Sequence, residues 1–377
     1  MYKSHERALE ALARRGRRRA LTAFSGIDFT SNDYLGLASS RELKDAARAA
    51  IERGVPIGSG GSRLLRGNHR EHEALESEAA AFFGAESALF FGGGFIANLA
   101  LFSTLPQRGD LVVHDALIHA SVHDGMRMGK AERAEARHND AQAFEDVIAD
   151  WRAAGGTGTP WIAVESLYSM DGDRAPLDDL AAIASRHDGV LAIDEAHATG
   201  VLGPLGRGLG AHLEGRANII ALHTCGKALG AMGALLTGPQ VLCDYLVNRS
   251  RPFIYATAPS PLVAAVVRAA LLICRFDAAR RDRLRALVAF AASQLAESCG
   301  LQASGSHVQP VIVGSDERAT RLAAVMQERG FDIRAVRPPT VPEGTARVRL
   351  SLTLNVDQAQ VAAMATVLAE EMKRLDT

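Results

Sequence analysis

The chain has 377 residues, of which 47% are hydrophobic and 23% are charged, so it can bury a large core and is predicted to be folded over most of its length. Its 42 Lys and Arg residues balance 43 Asp and Glu residues to a net charge of -1, which excludes an overall field for binding nucleic acid. The longest apolar stretch, 261–274, is interrupted by Arg268 and is too short to span a membrane.

Residues 1–40 are predicted to form a polar, arginine-rich N-terminal arm. The first residues lack the apolar core of a signal peptide, which favours a cytoplasmic protein. The four cysteines lie far apart and contain no Cys-x-x-Cys pair, so the sequence predicts neither a disulfide framework nor a metal site.

Short apolar runs and amphipathic segments alternate from residue 41 onward. Helices are predicted over 41–53 and 69–83. Buried strands are predicted over the apolar runs 88–91, 111–113, 161–164, 190–193 and 219–222. Because most of these runs are separated by enough residues for a crossover helix, the pattern predicts an α/β fold with a mostly parallel sheet covered on both faces. We assign this large domain to residues 41–276.

The remainder of the chain has a different mixture of elements. Helices predicted over 259–276 and 279–298 are followed by strands over 308–313 and 346–354 and by a last helix over 357–374. This order predicts a smaller α+β domain over residues 277–377.

Polar residues follow several of the predicted strands. In an open α/β sheet, ligands bind beyond the carboxyl ends of the strands, so these residues are the first candidates for a site. They form the segments 92–95, 165–172, 194–197 and 223–227. We expect them to line one crevice.

Lys227 is the only one of the five lysines that directly follows a predicted buried strand. Small residues flank it, so a bulky group can approach the backbone closely. Burial would favour the neutral amine, which is the form that bonds to a carbonyl carbon. An exposed lysine in a loop is the ordinary alternative.

Asp194 would be partly desolvated at the end of its strand, and a buried carboxylate needs a cation or strong hydrogen-bond donors. A protonated heteroaromatic nitrogen is one such partner. Taken alone, Asp194 fits a helix cap or a metal ligand with His197 better than it fits a catalytic role.

Two further segments are open to several interpretations. The glycines before a predicted helix at Phe95 offer N–H groups to an anion, although an ordinary tight turn explains them equally well. His119 fits a buried core histidine, half of a metal pair with His123, or an imidazole stacked on a flat cofactor.

Several short motifs occur in a fixed order along the chain. They are Ser-Asn-Asp-Tyr-Leu-Gly-Leu at 31–37, Gly-Ser-Gly-Gly-Ser at 58–62, Ser-Met-Asp-Gly-Asp at 169–173, Asp-Glu-Ala-His-Ala-Thr-Gly at 194–200 and Thr-Cys-Gly-Lys at 224–227. Together they resemble the α-oxoamine synthases, which are pyridoxal 5'-phosphate (PLP) enzymes of the aspartate-aminotransferase fold, fold type I. The resemblance implies PLP as the cofactor and a homodimer with shared sites.

The resemblance implies a role for each cofactor contact. Lys227 would bind the cofactor covalently and act as the base toward the substrate Cα proton, Asp194 would pair with the ring nitrogen, and His119 would stack on the ring. The remaining implied contacts are Gly94, Phe95, Ser169, His197, Thr224 and, from the neighbouring subunit, Thr257.

The resemblance also implies the substrates. Within the family, 337–342 and 347–353 look most like the biotin-pathway branch, which implies a C-acyltransferase that condenses L-alanine with a pimeloyl thioester, carried by coenzyme A or a carrier protein, with loss of CO₂. Arg349 would clamp the amino-acid carboxylate, although a surface strand arginine is its ordinary alternative. The implied substrate contacts are Arg17, Asn32, His119, Arg337, Thr340 and Arg349.

Other functions remain as alternatives. Branches of the same family that use glycine with acetyl-CoA, or a longer acyl group, are the nearest. An NAD-dependent oxidoreductase of the Rossmann type is more distant, because the motif Gly206-x-Gly208-x-x-Ala211 follows a loop and not a strand. A catalytically idle homologue is the third.

Overall fold

The computed structural model of the chain describes residues 1–21, 23 and 25–376. In this part of the chain, helices α1–α13 are Lys3–Arg14, Arg41–Glu52, Arg70–Phe83, Gly94–Thr104, Ala120–Met128, Ala141–Ala153, Leu177–Arg186, Gln240–Arg249, Arg251–Ile254, Pro261–Phe276, Ala278–Cys299, Asp316–Glu328 and Gln358–Asp376. Strands β1–β12 are Ile27–Asp28, Ser87–Phe91, Leu111–Asp115, Glu132–Ala136, Pro160–Glu165, Val190–Asp194, Ile219–Thr224, Ala234–Gly238, Val308–Gly314, Phe331–Asp332, Ala335–Val336 and Ala346–Ser351.

The chain divides into two compact units. The large unit comprises Leu35–Ser169 and Arg174–Arg281. The small unit comprises Met1–Tyr34, Met170–Asp173 and Asp282–Thr377. Among the helices of the described residues, none is long and apolar enough to cross a membrane.

The sheet of the large unit has the strand order β2-β8-β7-β6-β5-β3-β4. All its strands run in the same direction except β8, which is antiparallel to both of its neighbours, β2 and β7. The central strands are apolar on both faces because one face packs on a core that includes α4 and α5, and the other on a core that includes α6 and α7. The predicted α/β fold with a mostly parallel sheet is confirmed.

Two strands of this sheet were not predicted from the sequence, β4 and β8. β4 lies at the edge of the sheet and is made of Glu132, Arg133, Ala134, Glu135 and Ala136, which are mostly exposed. Only Ala134 and Ala136 of this edge strand pack against the core, so the strand has no continuous apolar run and its sequence resembles a loop. β8 is buried and apolar, but it directly follows the glycine-rich segment after Lys227.

The small unit is built on an antiparallel sheet with the order β11-β12-β9. Helices α11, α12 and α13 contribute to its core together with Phe29 from the N-terminal segment. Strand β1 pairs with β10, and the amide of Ser351 at the end of β12 donates to the carbonyl of Phe29 at 2.8 Å. These hydrogen bonds bring residues 31–34, the first part of the motif at 31–37, next to β12 within the small unit.

Candidate active site

The predicted site segments follow strands β2, β5, β6 and β7, whose carboxyl ends lie along one edge of the large sheet. β5 ends at Glu165, β6 at Asp194 and β7 at Thr224. Glu165 pairs in register with Asp194, and Asp194 with Leu222 of β7, so the polar ends of adjacent strands are neighbours. The structure therefore brings these segments together as expected from the sheet topology.

Lys227 lies in a turn directly after β7, half-buried, and its Nζ is 2.6 Å from Nε2 of the buried His197. The turn closes where the amide of Gly230 donates to the Lys227 carbonyl at 2.9 Å. Gly230 has a φ of 64°, and a Cβ there would lie 2.5 Å from the backbone of Leu37 and Ala38. The turn that presents the amine therefore requires glycine at position 230.

A chain of hydrogen bonds joins Asp194 to His119. The Asn98 side-chain amide donates to Asp194 Oδ2 at 2.8 Å and to Ser121 Oγ at 3.0 Å, and the Ser121 hydroxyl lies 2.7 Å from His119 Nδ1. Because the Ser121 backbone amide also donates to His119 Nδ1, this nitrogen is an acceptor. Burial lowers the pKa of His119; the Asp194 carboxylate partly opposes this effect, and Lys227 adds to it. The imidazole beside Asp194 is therefore neutral near pH 7.

Asn98 and Ser121 were not singled out in the sequence. Both lie within helices, α4 and α5, and are nearly fully buried. The sequence did contain one indication of Asn98, namely an asparagine within the apolar segment that forms α4. Buried polar groups require partners, so such a residue is a candidate for a polar site.

Glu165 is a second carboxyl group that the sequence did not lead us to single out. Burial raises the pKa of Glu165 to about 8, and the negative Asp194 adds to this effect. Its Oε2 accepts a hydrogen bond from the Ser169 amide at 3.1 Å, while its Oε1 is buried and has no hydrogen-bond partner among the described residues. Below pH 8 Glu165 is thus predominantly neutral. Glu165 directly follows an apolar run, as Asp194 does, and this position in the sequence could have identified it as a site residue.

The segment after β2 leads into helix α4, whose first residue is Gly94. A Cβ on Gly94 would lie 2.7 Å from the Thr224 methyl group, whereas one on Gly93 would meet nothing within 4 Å. The start of α4 therefore borders open space, and its free N–H groups are suited to an anion. The Phe95 ring lies edge-on to His119, with ring centroids 6.5 Å apart.

Thr257 lies on an exposed loop after α9, where it pairs with Ser62. The structure thus joins Thr257 to the motif at 58–62. Its role toward a cofactor stays a prediction.

In the small unit, Arg349 of β12 meets two residues of the motif at 31–37. Its Nη2 donates to Asn32 Oδ1 at 2.9 Å and to the Tyr34 hydroxyl at 3.2 Å. Arg349 is only 9% exposed, and its Nε is buried without a hydrogen-bond partner among the described residues. Arg347, on the same strand, differs because it pairs with Asp171 at 2.5 Å. A buried guanidinium with an unsatisfied N–H is suited to an anionic ligand.

Arg17 lines a groove of about 860 Å³ in the small unit. Its guanidinium pairs with Asp316 at 2.5 Å and with Glu343 at 2.8 Å. Arg17 is thus already neutralised by two carboxylates.

Arg337 and Thr340 occupy one turn, in which the Thr340 amide donates to the Arg337 carbonyl at 3.0 Å. The Thr340 hydroxyl accepts from Arg19 at 3.5 Å, so the arginine that reaches Thr340 is two residues after the predicted Arg17. The Arg337 guanidinium reaches Thr320 at 3.4 Å.

The residues at the carboxyl edge of the large sheet fit PLP better than a metal ion. Among the described residues, no group of three His, Cys, Asp or Glu side chains is arranged to hold a metal. Lys227 offers an amine for the aldehyde, and Asp194 offers a buried carboxylate for a protonated ring nitrogen. The space at the start of α4, bounded by Gly94 and Thr224, offers N–H groups for a phosphate.

The sequence profile of the family described as aminotransferase class I and II matches residues 25–368. The chain therefore belongs to the aminotransferase class I and II family.

Curated relatives narrow this assignment. The chain is 45% identical over 342 residues to the 8-amino-7-oxononanoate synthase of Chromobacterium violaceum, with 90% of this chain and 88% of the relative covered. It is 40% identical over 381 residues to the enzyme of the same name from Anaeromyxobacter dehalogenans, with 96% and 94% covered. The predicted resemblance to α-oxoamine synthases is thereby confirmed.

Solved structures show the same fold. Sphingomonas wittichii serine palmitoyltransferase superposes with a TM-score of 0.89 at 26% identity, covering 100% of this chain and 98% of that chain. The 8-amino-7-oxononanoate synthase of Francisella tularensis superposes with a TM-score of 0.78 at 29% identity, covering 94% and 99%. These similarities confirm the predicted aminotransferase-type fold.

Proposed function

We propose that the protein catalyses the PLP-dependent condensation of L-alanine with a pimeloyl thioester, which yields 8-amino-7-oxononanoate, CO₂ and the free thiol in biotin biosynthesis. The comparisons support this choice of substrates and confirm the C-acyltransferase class, because the curated relatives are named for this product. PLP is the cofactor, in agreement with a solved serine palmitoyltransferase structure that carries it. The observation in this chain that supports the proposal most strongly is the amine of Lys227 beside His197, on the sheet edge that ends in Asp194.

Four residues of the large unit, Lys227, His197, Asp194 and His119, have a chemical task in this proposal. When bound, PLP supplies an electron sink for the pair released at the substrate Cα. Lys227 anchors the cofactor and then, as a free amine, accepts the Cα proton, a step that contributes about 10²–10⁴-fold in rate. His197, 2.6 Å from Nζ, can share that proton. With PLP bound, Asp194 would hold the ring nitrogen in its protonated form, and the neutral His119 would cover the ring.

The other large-unit contacts hold the edges of the cofactor. Ser169 and His197 are suited to its phenolic oxygen, whereas Gly94, Phe95 and Thr224 are suited to its phosphate. The buried, neutral Glu165 limits the negative charge beside Asp194 to one carboxylate.

Arg349, Asn32, Arg337 and Thr340 are proposed to bind the substrates. Arg17 is kept as a proposed acyl contact, for which its guanidinium would have to exchange Asp316 and Glu343 for the substrate. The unsatisfied Arg349 Nε supports its role as the carboxylate clamp, because a bidentate pair would use that N–H.

Replacing Arg349 with lysine is expected to raise the KM for L-alanine about 10- to 100-fold, because an ammonium group cannot form the bidentate pair. The KM for the acyl thioester should change little. Arg347→Lys is the matched control, since Arg347 is buried on the same strand but pairs with Asp171. Steady-state kinetics with each substrate varied checks this, and an equal rise in both KM values for Arg349→Lys would contradict it.

Replacing Gly94 with alanine is expected to weaken PLP binding about 10-fold or more, because the new Cβ would collide with the Thr224 methyl group. Adding Thr224→Ser removes that methyl group and keeps the hydroxyl, so the double variant should recover most of the affinity. PLP titration followed by absorbance measures both effects. A double variant as weak as Gly94→Ala would show that steric contact with Thr224 is not the cause.

A homodimer with shared active sites is part of the proposal, because Thr257 is assigned to the phosphate bound by the neighbouring subunit. Large apolar side chains exposed on the large unit support such an interface: Leu65, Phe95, Ile96, Met232 and Tyr255. Sedimentation analysis would test it. We also propose that the reaction takes place in the cytoplasm.

Turnover with L-alanine and pimeloyl-CoA, followed by the mass of the product and release of coenzyme A, tests the proposed function. We expect 8-amino-7-oxononanoate from alanine and little product from glycine or serine. Efficient turnover of glycine with acetyl-CoA, and none of alanine, would instead identify another branch of the family.

A further inference from the structure

The motif at 58–62 has no chemical task in the proposed reaction, but it forms a defined pair with the loop at 255–260. Ser62 pairs with Thr257 in an antiparallel bridge, and the Ala258 amide donates to the Gly61 carbonyl at 2.9 Å. The Ser59 hydroxyl donates to the Pro259 carbonyl at 2.6 Å. We call residues 58–62 and 255–260 the loop pair. The position of Thr257 is therefore fixed by the contacts of its loop with residues 58–62.

His72 fixes the loop pair from helix α3. Its Nε2 lies 2.7 Å from the Pro259 carbonyl oxygen, and its Nδ1 accepts a hydrogen bond from the His69 amide at 3.1 Å. Because an amide can only donate, Nδ1 carries no hydrogen, and Nε2 carries the hydrogen that is given to Pro259. The side chain is fully buried, and burial lowers the pKa of His72. The imidazole is thus held neutral, in one tautomer.

The same helix also holds the residue that follows the motif. Glu76, one turn after His72 on α3, accepts two hydrogen bonds from Arg63, each at 2.8 Å. Glu76 also accepts a hydrogen bond from the backbone amide of Phe90 in β2 at 2.8 Å. Helix α3 therefore holds the 255–260 half of the loop pair through His72 and, through Glu76, the residue that directly follows the 58–62 half.

We propose that His72 is a positioning residue that holds Thr257 in place for the PLP phosphate of the partner subunit. This inference rests on the proposed function, in which Thr257 reaches that phosphate. Pro259 lies two residues after Thr257 and has no N–H, so its carbonyl is the only backbone group through which it can be anchored. Loss of the His72 hydrogen bond leaves the Pro259 carbonyl held by the Ser59 hydroxyl alone, so the segment that carries Thr257 is held less firmly. The effect is expected on cofactor affinity in the other subunit, and not on the chemistry of Lys227.

Three substitutions separate this role from simple packing. His72→Leu and His72→Asn remove the donor to Pro259, and we expect each to raise the dissociation constant for PLP about 3- to 10-fold. His72→Gln places an amide N–H where Nε2 was, so its affinity should stay within about 2-fold of the wild type. The KM for L-alanine at saturating PLP should be unchanged in all three. Equal losses in the Gln, Asn and Leu variants would overturn the proposal.

A double-mutant cycle tests whether His72 acts through Thr257. If it does, His72→Asn should weaken PLP binding no further in a Thr257→Ala background, because the positioned group is already absent. Additive losses would contradict the proposal. Thermal unfolding of each variant without PLP shows whether the substitutions merely unfold the chain.

A mixed dimer tests the action across subunits. One subunit carries His72→Asn, and the other carries Lys227→Ala with His72 intact. The intact Lys227 then receives Thr257 from the subunit with a normal loop pair, so we expect wild-type affinity at that site. Weak binding there would show that His72 acts within its own subunit and would refute the inference. Absence of PLP binding by the wild-type protein would instead refute the proposed function.

Discussion

Replacing Lys227 with alanine is expected to reduce turnover of L-alanine and pimeloyl-CoA by about 10⁴-fold or more, the largest effect of any single change in this chain. The substitution removes the amine that anchors the cofactor and the base that accepts the Cα proton. It also removes the amine that lies 2.6 Å from His197 Nε2. Single-turnover kinetics with excess enzyme measures the loss without interference from product release.

Lys130→Ala is the matched control for this prediction. Lys130 is exposed and lies between α5 and β4, at the end of α5 opposite to His119, so its removal should leave turnover within about 2-fold. A Lys227→Ala variant that retains more than about a tenth of wild-type turnover would remove Lys227 from the mechanism.

Replacing Asp194 with asparagine is expected to reduce kcat about 10²- to 10³-fold, because the neutral amide cannot stabilise a protonated ring nitrogen. In the wild type, the two carboxylate oxygens of Asp194 accept hydrogen bonds from the Asn98 side chain and from the Ala196 amide. Asparagine keeps the size of the side chain and one of these two acceptors. The loss should therefore reflect charge more than shape. Steady-state kinetics at saturating PLP measures it, and a loss below about 5-fold would contradict the assigned role.

Glu165→Gln is the informative comparison, because Glu165 lies in register with Asp194 on the adjacent strand. With the pKa of Glu165 raised to about 8 by burial, the carboxyl group is already neutral at pH 7, and the neutral glutamine should change kcat by less than about 3-fold. A loss as large as that of Asp194→Asn would show that Glu165 works as an anion.

The raised pKa of Glu165 also predicts how the free energy of unfolding varies with pH. Between the ordinary glutamate pKa and about pH 8, the folded state holds a proton on Glu165 that the unfolded state has released. This group therefore makes the free energy of unfolding decrease as pH rises through that range. Glu165→Gln should flatten the decrease between pH 5 and 8, as chemical denaturation can measure, and an unchanged slope would contradict the shifted pKa.

The sequence predicted five strands of the large sheet, β2, β3, β5, β6 and β7, because strands buried on both faces are continuous apolar runs. For the same reason it did not predict β4, whose exposed Glu and Arg residues at the edge of the sheet give no such run. The site segments could be located because carboxyl strand ends meet at one edge, which needs only the strand positions. Lys227 was selected because it alone among the five lysines directly follows a predicted buried strand.

The contacts between these segments could not be predicted, because they depend on how helices pack on the sheet. Asn98 and Ser121 bridge Asp194 and His119 from two different helices, and no spacing in the chain indicates this pairing. His72 and Pro259 are 187 positions apart, so their hydrogen bond could not be predicted from the sequence either. The pairing of Arg17 with Asp316 and Glu343 likewise joins distant segments.

Borohydride reduction of the wild-type protein after incubation with PLP, followed by peptide mass analysis, tests most directly whether Lys227 is the anchoring amine. We predict a single modified peptide that carries one reduced pyridoxyl phosphate at Lys227. Modification at another lysine with Lys227 unmodified, or no modified peptide at all, would contradict the account.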